Sequence, residues 1–154
     1  MRRGKEDDLK NNVKIALVSK QFDGSDAEQV ELFTEGVLKM HESGYELHYD
    51  ETEATGYEGS VTKLMVSDEN KVEMLRSGST VASLVVELGR KHHCHYGTPY
   101  GDFMVGVTAK EIHSDITKAG GTLNFRYVID VNSSYIGDFE IDINVKPIST
   151  AIEQ

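Results

Sequence analysis

Apolar and polar residues alternate with a period of two over much of this chain. Leu123, Phe125, Tyr127, Ile129 and Val131 alternate with Thr122, Asn124, Arg126, Val128 and Asp130. Phe139, Ile141, Ile143 and Val145 alternate with Glu140, Asp142, Asn144 and Lys146. Tyr45, Leu47 and Tyr49 repeat the pattern against Glu46, His48 and Asp50. Val13, Ile15 and Leu17 do so near the start, and Phe103, Val105 and Val107 in the middle, with Gly106 on the opposite face. Successive side chains of a strand point to opposite faces. Each run therefore predicts a half-buried antiparallel strand with one face on a core and one in water.

Turn chemistry separates these runs. Asp23-Gly24-Ser25, Glu42-Ser43-Gly44, Ser67-Asp68-Glu69-Asn70, Arg76-Ser77-Gly78-Ser79, Tyr100-Gly101-Asp102 and Ala119-Gly120-Gly121 all supply residues that tolerate tight reversal. They divide the chain into roughly ten strands at fairly even spacing. Only two prolines, Pro99 and Pro147, interrupt the pattern. Helix signals are weak. Asp26 to Gln29 is too short, and Thr80 to Leu88 is rich in β-branched residues and bounded by Gly78 and Gly89, so it reads as a strand. An open sheet of this size would expose its edges, and closure removes them. The expected fold is all-β: one closed antiparallel barrel of roughly eight to ten strands. It spans residues 11–148, between a tail at 1–10 and another at 149–154.

Composition narrows the setting. The chain has 154 residues, which suits one domain. Sixteen Lys and Arg stand against 26 Asp and Glu, a formal net charge of −10. That field repels phosphate backbones and anionic membrane, so neither nucleic acid nor membrane is an expected partner. The single cysteine, Cys94, excludes an internal disulfide and suits a reducing compartment. Arg2 and Arg3 are followed by acids and asparagines instead of an apolar segment, so no secretory signal is read there. A cytoplasmic location is expected.

The central stretch carries a resemblance. It runs Tyr49-Asp50-Glu51-Thr52, Thr55-Gly56-Tyr57-Glu58-Gly59, Thr62-Lys63-Leu64-Met65-Val66 and Val72-Glu73-Met74-Leu75-Arg76-Ser77-Gly78. Tyr96-Gly97-Thr98-Pro99-Tyr100-Gly101 and Gly120-Gly121-Thr122-Leu123 follow, ahead of Tyr127. In order and spacing these segments resemble the YwiB-like family of small bacterial proteins, a domain of unknown function. The resemblance covers most of the chain, up to about Pro147. It implies a lipocalin-like, calycin-type β-barrel and brings no activity with it. The Gly-x-Trp signature of secreted lipocalins is missing, since the chain has no Trp. The likeness to lipocalins is therefore one of shape, which does not license a function.

Strand parity nominates an interior site. Tyr45, Leu47 and Tyr49 mark an inward face that Glu51 continues. Val72 and Met74 carry Arg76 to the same side. Tyr96 and Thr98 share the parity of His92 and Cys94, and Tyr127 lies on the inward face of its run. Tyr49, Glu51, Arg76, Tyr96, Thr98 and Tyr127 are thus the expected ligand-binding residues, with Arg76 anchoring an acidic group and Tyr96 and Thr98 hydrogen-bonding it. The plainer alternative is a structural ion pair that fixes strand register. The expected function is binding of one small, partly apolar ligand inside the barrel. The alternative is a structural or interaction barrel whose interior is filled by Leu123, Phe125, Tyr127, Ile129 and Phe139.

Other chemistry finds less support. Lys91-His92-His93-Cys94-His95 looks metal-binding, but alternation lets only His93 with His95, or His92 with Cys94, share a site. Two ligands do not make a zinc site, and neither His48 nor His113 can be placed nearby from sequence. No metal or cofactor is expected. Glu51, Glu53 and Glu58 form an acidic loop cluster of the kind that can do acid–base work. No nucleophile elbow or phosphate-binding loop accompanies it, so no enzyme activity is expected. The oligomeric state stays open, a homodimer included.

Overall fold

The computed structural model describes residues 10–23, 26–68, 70–98 and 101–148. The two predicted tails lie outside the described residues, apart from Lys10, as do Gly24, Ser25, Glu69, Pro99 and Tyr100. Ten strands follow one another in sequence: β1 (Val13–Asp23), β2 (Asp26–His41), β3 (Gly44–Asp50), β4 (Ser60–Ser67), β5 (Lys71–Gly78), β6 (Ala82–Glu87), β7 (Lys91–Thr98), β8 (Gly101–Ser114), β9 (Gly121–Val131) and β10 (Ser134–Pro147). Each pairs antiparallel with its neighbour in sequence, and β1 pairs with β10 to close the barrel. The predicted closed meander is the observed topology. Among the described residues no helix is long and apolar enough to cross a membrane.

The period-two pattern does what it predicts. Tyr45, Leu47, Tyr49, Leu123, Phe125, Tyr127, Ile129, Ile143 and Val145 are all buried. Thr80–Leu88 contains β6, with Ala82, Leu84 and Val86 facing in. Phe103 departs from the pattern, being 48% exposed. The reason is local. Residues 101–105 of β8 pair with β7, while pairing with β9 begins only at Gly106. The start of β8 therefore has a strand on one side only, and no core lies beneath Phe103.

β2 was the element least visible in the sequence. It begins at the short acidic stretch Asp26–Gln29 and runs for 16 residues because it serves two partners. Asp26 to Gly36 pair with β1, and Gly36 to His41 pair with β3. At the handover, a Cβ on Gly36 would sit 2.2 Å from the His48 carbonyl oxygen. Only glycine admits that approach. The β9–β10 reversal at Asn132 and Ser133 was also not among the predicted turns. Both residues have positive φ, 52° and 69°, the geometry a tight two-residue hairpin demands.

Because the strands alternate in direction, five of the nine connections lie at one end and four at the other. The end holding β2–β3, β4–β5, β6–β7 and β8–β9 also receives the start of β1 and the finish of β10. This end is plugged. Ile112 and Ile116 are buried there, and the Tyr45 and Ser114 hydroxyls hydrogen-bond at 2.6 Å. The opposite end is the one that opens.

Candidate ligand-binding site

The interior site grows from the chain between β3 and β4. Glu51 follows β3 with the same parity as Tyr49, and its backbone N–H donates to the Ser60 carbonyl at 2.9 Å. The Thr52 hydroxyl caps a single 3-10 turn, Glu53–Thr55, by accepting from the Ala54 N–H. Gly56 ends the turn in the left-handed conformation, φ 85°. This short turn carries Thr55 back over Glu51 and brings Tyr57 across the barrel interior.

The other side chains arrive through register. Tyr49, Thr62, Arg76, Ala82 and Tyr96 stand opposite one another on β3, β4, β5, β6 and β7, forming one row across five strands. The small Ala82 beside Arg76 leaves room for the guanidinium.

Glu51 and Arg76 are buried together, with side-chain exposures of 3% and 8%. Every Glu51 oxygen is engaged. Oε1 accepts from the Thr55 hydroxyl at 2.7 Å, and Oε2 accepts from the Thr62 hydroxyl at 2.5 Å and from Arg76 Nη2 at 3.4 Å. Arg76 Nε donates to Thr62 Oγ1 at 3.3 Å, and Nη2 also reaches Met74 Sδ at 3.7 Å. The guanidinium carbon lies 3.8 Å from the centre of the Tyr57 ring. Arg76 Nη1 is the exception. It is buried and has no hydrogen-bond partner among the described residues. Leaving such a donor unmade is costly, the more so on a charged group.

Arg76 lines a cavity of about 260 Å³ at the open end of the barrel. Arg76, Glu51, Thr55 and the tyrosines 49, 57, 96 and 127 form its polar side. Leu64, Val72, Leu84, Val86, Phe125 and Phe139 contribute the apolar side. Phe125, Tyr127 and Phe139 stack in sequence, with ring centres 5.9 Å and 5.3 Å apart, and make one continuous aromatic wall. Ser19, Gln21 and Glu28 line the cavity from β1 and β2. The Tyr57 and Tyr96 hydroxyls hydrogen-bond at 3.0 Å. One must donate to the other, so one of the two hydrogens remains free. Burial is the main reason the Tyr49, Tyr96 and Tyr127 hydroxyls are pushed well above the ordinary tyrosine range. They stay neutral donors at any physiological pH.

Five of the six expected site residues, Tyr49, Glu51, Arg76, Tyr96 and Tyr127, therefore line one cavity. The Thr98 side chain lies outside the described residues. Three participants were missed. Thr62 looks like an ordinary polar strand residue, while Thr55 and Tyr57 sit in a segment that reads only as a turn. The Thr55-Gly56-Tyr57 spacing beside Glu51 was the one available signal.

The acidic loop cluster does not form around Glu51. Glu51 turns into the barrel, whereas Glu53 and Glu58 are exposed. The histidines also separate. His93 and His95 face outward, and His92 Nε2 hydrogen-bonds Glu87 at 2.8 Å. His48 Nε2 meets Glu46 at 2.9 Å on the outer surface. No group of three or more metal-ligating side chains occurs among the described residues. Cys94 is a buried free thiol whose sulfur accepts from the Val85 N–H at 3.3 Å. Burial raises its pKa, which suits a small core residue.

Comparison with known proteins agrees with this architecture. The crystal structure of ywiB protein from Bacillus subtilis superposes with a TM-score of 0.75 at 18% identity, covering 94% of this chain and 99% of that one. At that identity the likeness concerns the fold. No curated protein matches the sequence. A family model described as a domain of unknown function, DUF1934, matches residues 15–143. The chain, a closed ten-stranded barrel with a buried Glu51–Arg76 pair, belongs to the DUF1934 family.

Proposed function

We propose that this barrel binds one small amphipathic molecule in its open-end cavity, with a hydrogen-bond-accepting head group on Arg76 Nη1. The observation that carries the reading is a 260 Å³ cavity lined by Arg76, whose buried Nη1 has no hydrogen-bond partner among the described residues. A ligand acceptor there would complete the guanidinium, and the apolar wall would cover the rest of the molecule. At a water's share of about 30 Å³, the space takes a ligand of roughly ten non-hydrogen atoms.

Binding fits the site better than catalysis. Both Glu51 oxygens already accept hydrogen bonds, which commits that carboxylate to holding Arg76 and its neighbouring hydroxyls in place. The filled-barrel alternative draws on the packed plugged end, whereas the cavity above it favours a ligand. The single thiol supports a cytoplasmic location.

Ligand-observed NMR with a library of small fragments tests the reading, using untagged full-length protein and a Ser19→Phe variant. Ser19 lines the cavity and is half-buried, so a phenyl ring at that position occupies the space. Hits that compete for one site, and that Ser19→Phe abolishes, are expected. No hits, or hits indifferent to Ser19→Phe, would overturn it.

A further inference from the structure

This inference rests on the ligand reading and specifies the charge of the head group. We propose that the occupant is electrically neutral at the Arg76 end, with a ketone-like or ester-like carbonyl oxygen accepting from Nη1, and that the site rejects carboxylates.

An arginine in a barrel ordinarily suggests an anion, but here the anion is already present. Glu51 occupies Nη2 of the same guanidinium, and both partners are almost fully buried. A ligand carboxylate on Nη1 would feel the attraction of Arg76 and also the repulsion of Glu51, which is paired with the same guanidinium. Those two effects oppose each other. The cost of stripping water from the ligand's own charge remains.

The rest of the lining gives no help to an anion. Among the described residues that line the cavity, Arg76 is the one cation, and Glu51 and Glu28 are two carboxylates, so these residues sum to −1. The chain as a whole carries −10. The remaining unspent groups near Arg76 are neutral phenols, one of the Tyr57 and Tyr96 hydrogens and the Tyr127 hydroxyl. A neutral carbonyl oxygen accepts from Nη1 and a phenol without adding charge.

Matched pairs of ketones and carboxylates of equal size separate the possibilities. Benzylacetone and hydrocinnamate are the first pair, since they share a phenyl ring for the aromatic wall and differ at the head group alone. Dissociation constants are measured by calorimetry at neutral pH on the full chain and on Glu51→Gln. The ketones are expected to bind about tenfold or more tightly than their acid partners. Glu51→Gln keeps the side-chain shape and removes the competing charge, so it narrows or reverses that preference.

Acids binding as well as or better than ketones in the natural sequence would overturn neutral selectivity and leave the ligand reading standing. Absence of binding by every pair, together with an empty fragment screen, would remove the ligand reading and this inference with it. If Glu51→Gln fails to fold, the comparison within the natural sequence decides alone.

Discussion

The Arg76 guanidinium lies against the face of the Tyr57 ring, 3.8 Å from its centre. The contact joins a β5 side chain to the segment between β3 and β4, and the Tyr57 hydroxyl extends the link to Tyr96 on β7. One tyrosine thus ties three parts of the open end to a buried charge.

Removing that tyrosine in two steps should separate its roles. Tyr57→Phe keeps the ring over Arg76 and loses the hydrogen bond to Tyr96, at a cost of about 1 kcal/mol. Tyr57→Ala loses the cation–π contact as well, for roughly 1–2 kcal/mol more. Urea denaturation measures both. Equal costs for the two variants would show that the ring contact contributes nothing.

The buried ion pair predicts a strongly non-additive cycle. Glu51→Leu leaves Arg76 buried without its counter-ion and should cost about 3–5 kcal/mol. Arg76→Met strands Glu51 in the same way. The double variant Glu51→Leu/Arg76→Met removes both charges, and its stability should return to within about 1 kcal/mol of the natural sequence. Additive losses across the cycle would mean that the two residues do not compensate each other.

Alkaline pH should unfold the protein through its tyrosines. Burial pushes Tyr45 up to about 12, and Tyr49, Tyr96 and Tyr127 rise still further. The native state therefore holds these protons after the unfolded chain, with ordinary tyrosines near pH 10, has released them. Their contribution is fully present below about pH 10 and declines as pH rises toward and beyond 12. Absorbance of tyrosinate, followed alongside circular dichroism, should show the buried tyrosines ionising together with unfolding. Ionisation of all seven tyrosines with strand structure intact would contradict the burial on which the site depends.

Gly36→Ala should destabilise the barrel by about 1–3 kcal/mol, because the added carbon meets a backbone oxygen that cannot swing aside. The Tm should fall by roughly 2–4 °C for each kcal/mol lost. A variant as stable as the natural sequence would show that β2 does not need glycine where it changes partners.

Much of this architecture was legible because antiparallel strands write their burial into alternate positions. The runs at Tyr45–Tyr49, Leu123–Val131 and Phe139–Val145 are clean, and so were their faces. β2 was obscured for a physical reason: Phe33, 73% exposed, sits beside buried Leu32, and an apolar residue on the outer face erases the alternation. Parity brought Glu51 and Arg76 together correctly, since each merely continues the inward face of its strand. It could not find Thr55 and Tyr57, which reach the site through a 3-10 turn where alternation no longer applies. Nor could it foresee that both Glu51 oxygens would be engaged while one nitrogen of Arg76 was left over. That depends on which hydroxyls lie within hydrogen-bond distance, and so on register across β3, β4 and β5.

A crystal structure of the untagged full chain tests the Arg76 site most directly. The expected result is an open cavity with a non-protein acceptor within hydrogen-bond distance of Nη1. A cavity closed by its own side chains, with Nη1 bonded to a protein oxygen, would contradict the proposal that this barrel is built to hold a ligand.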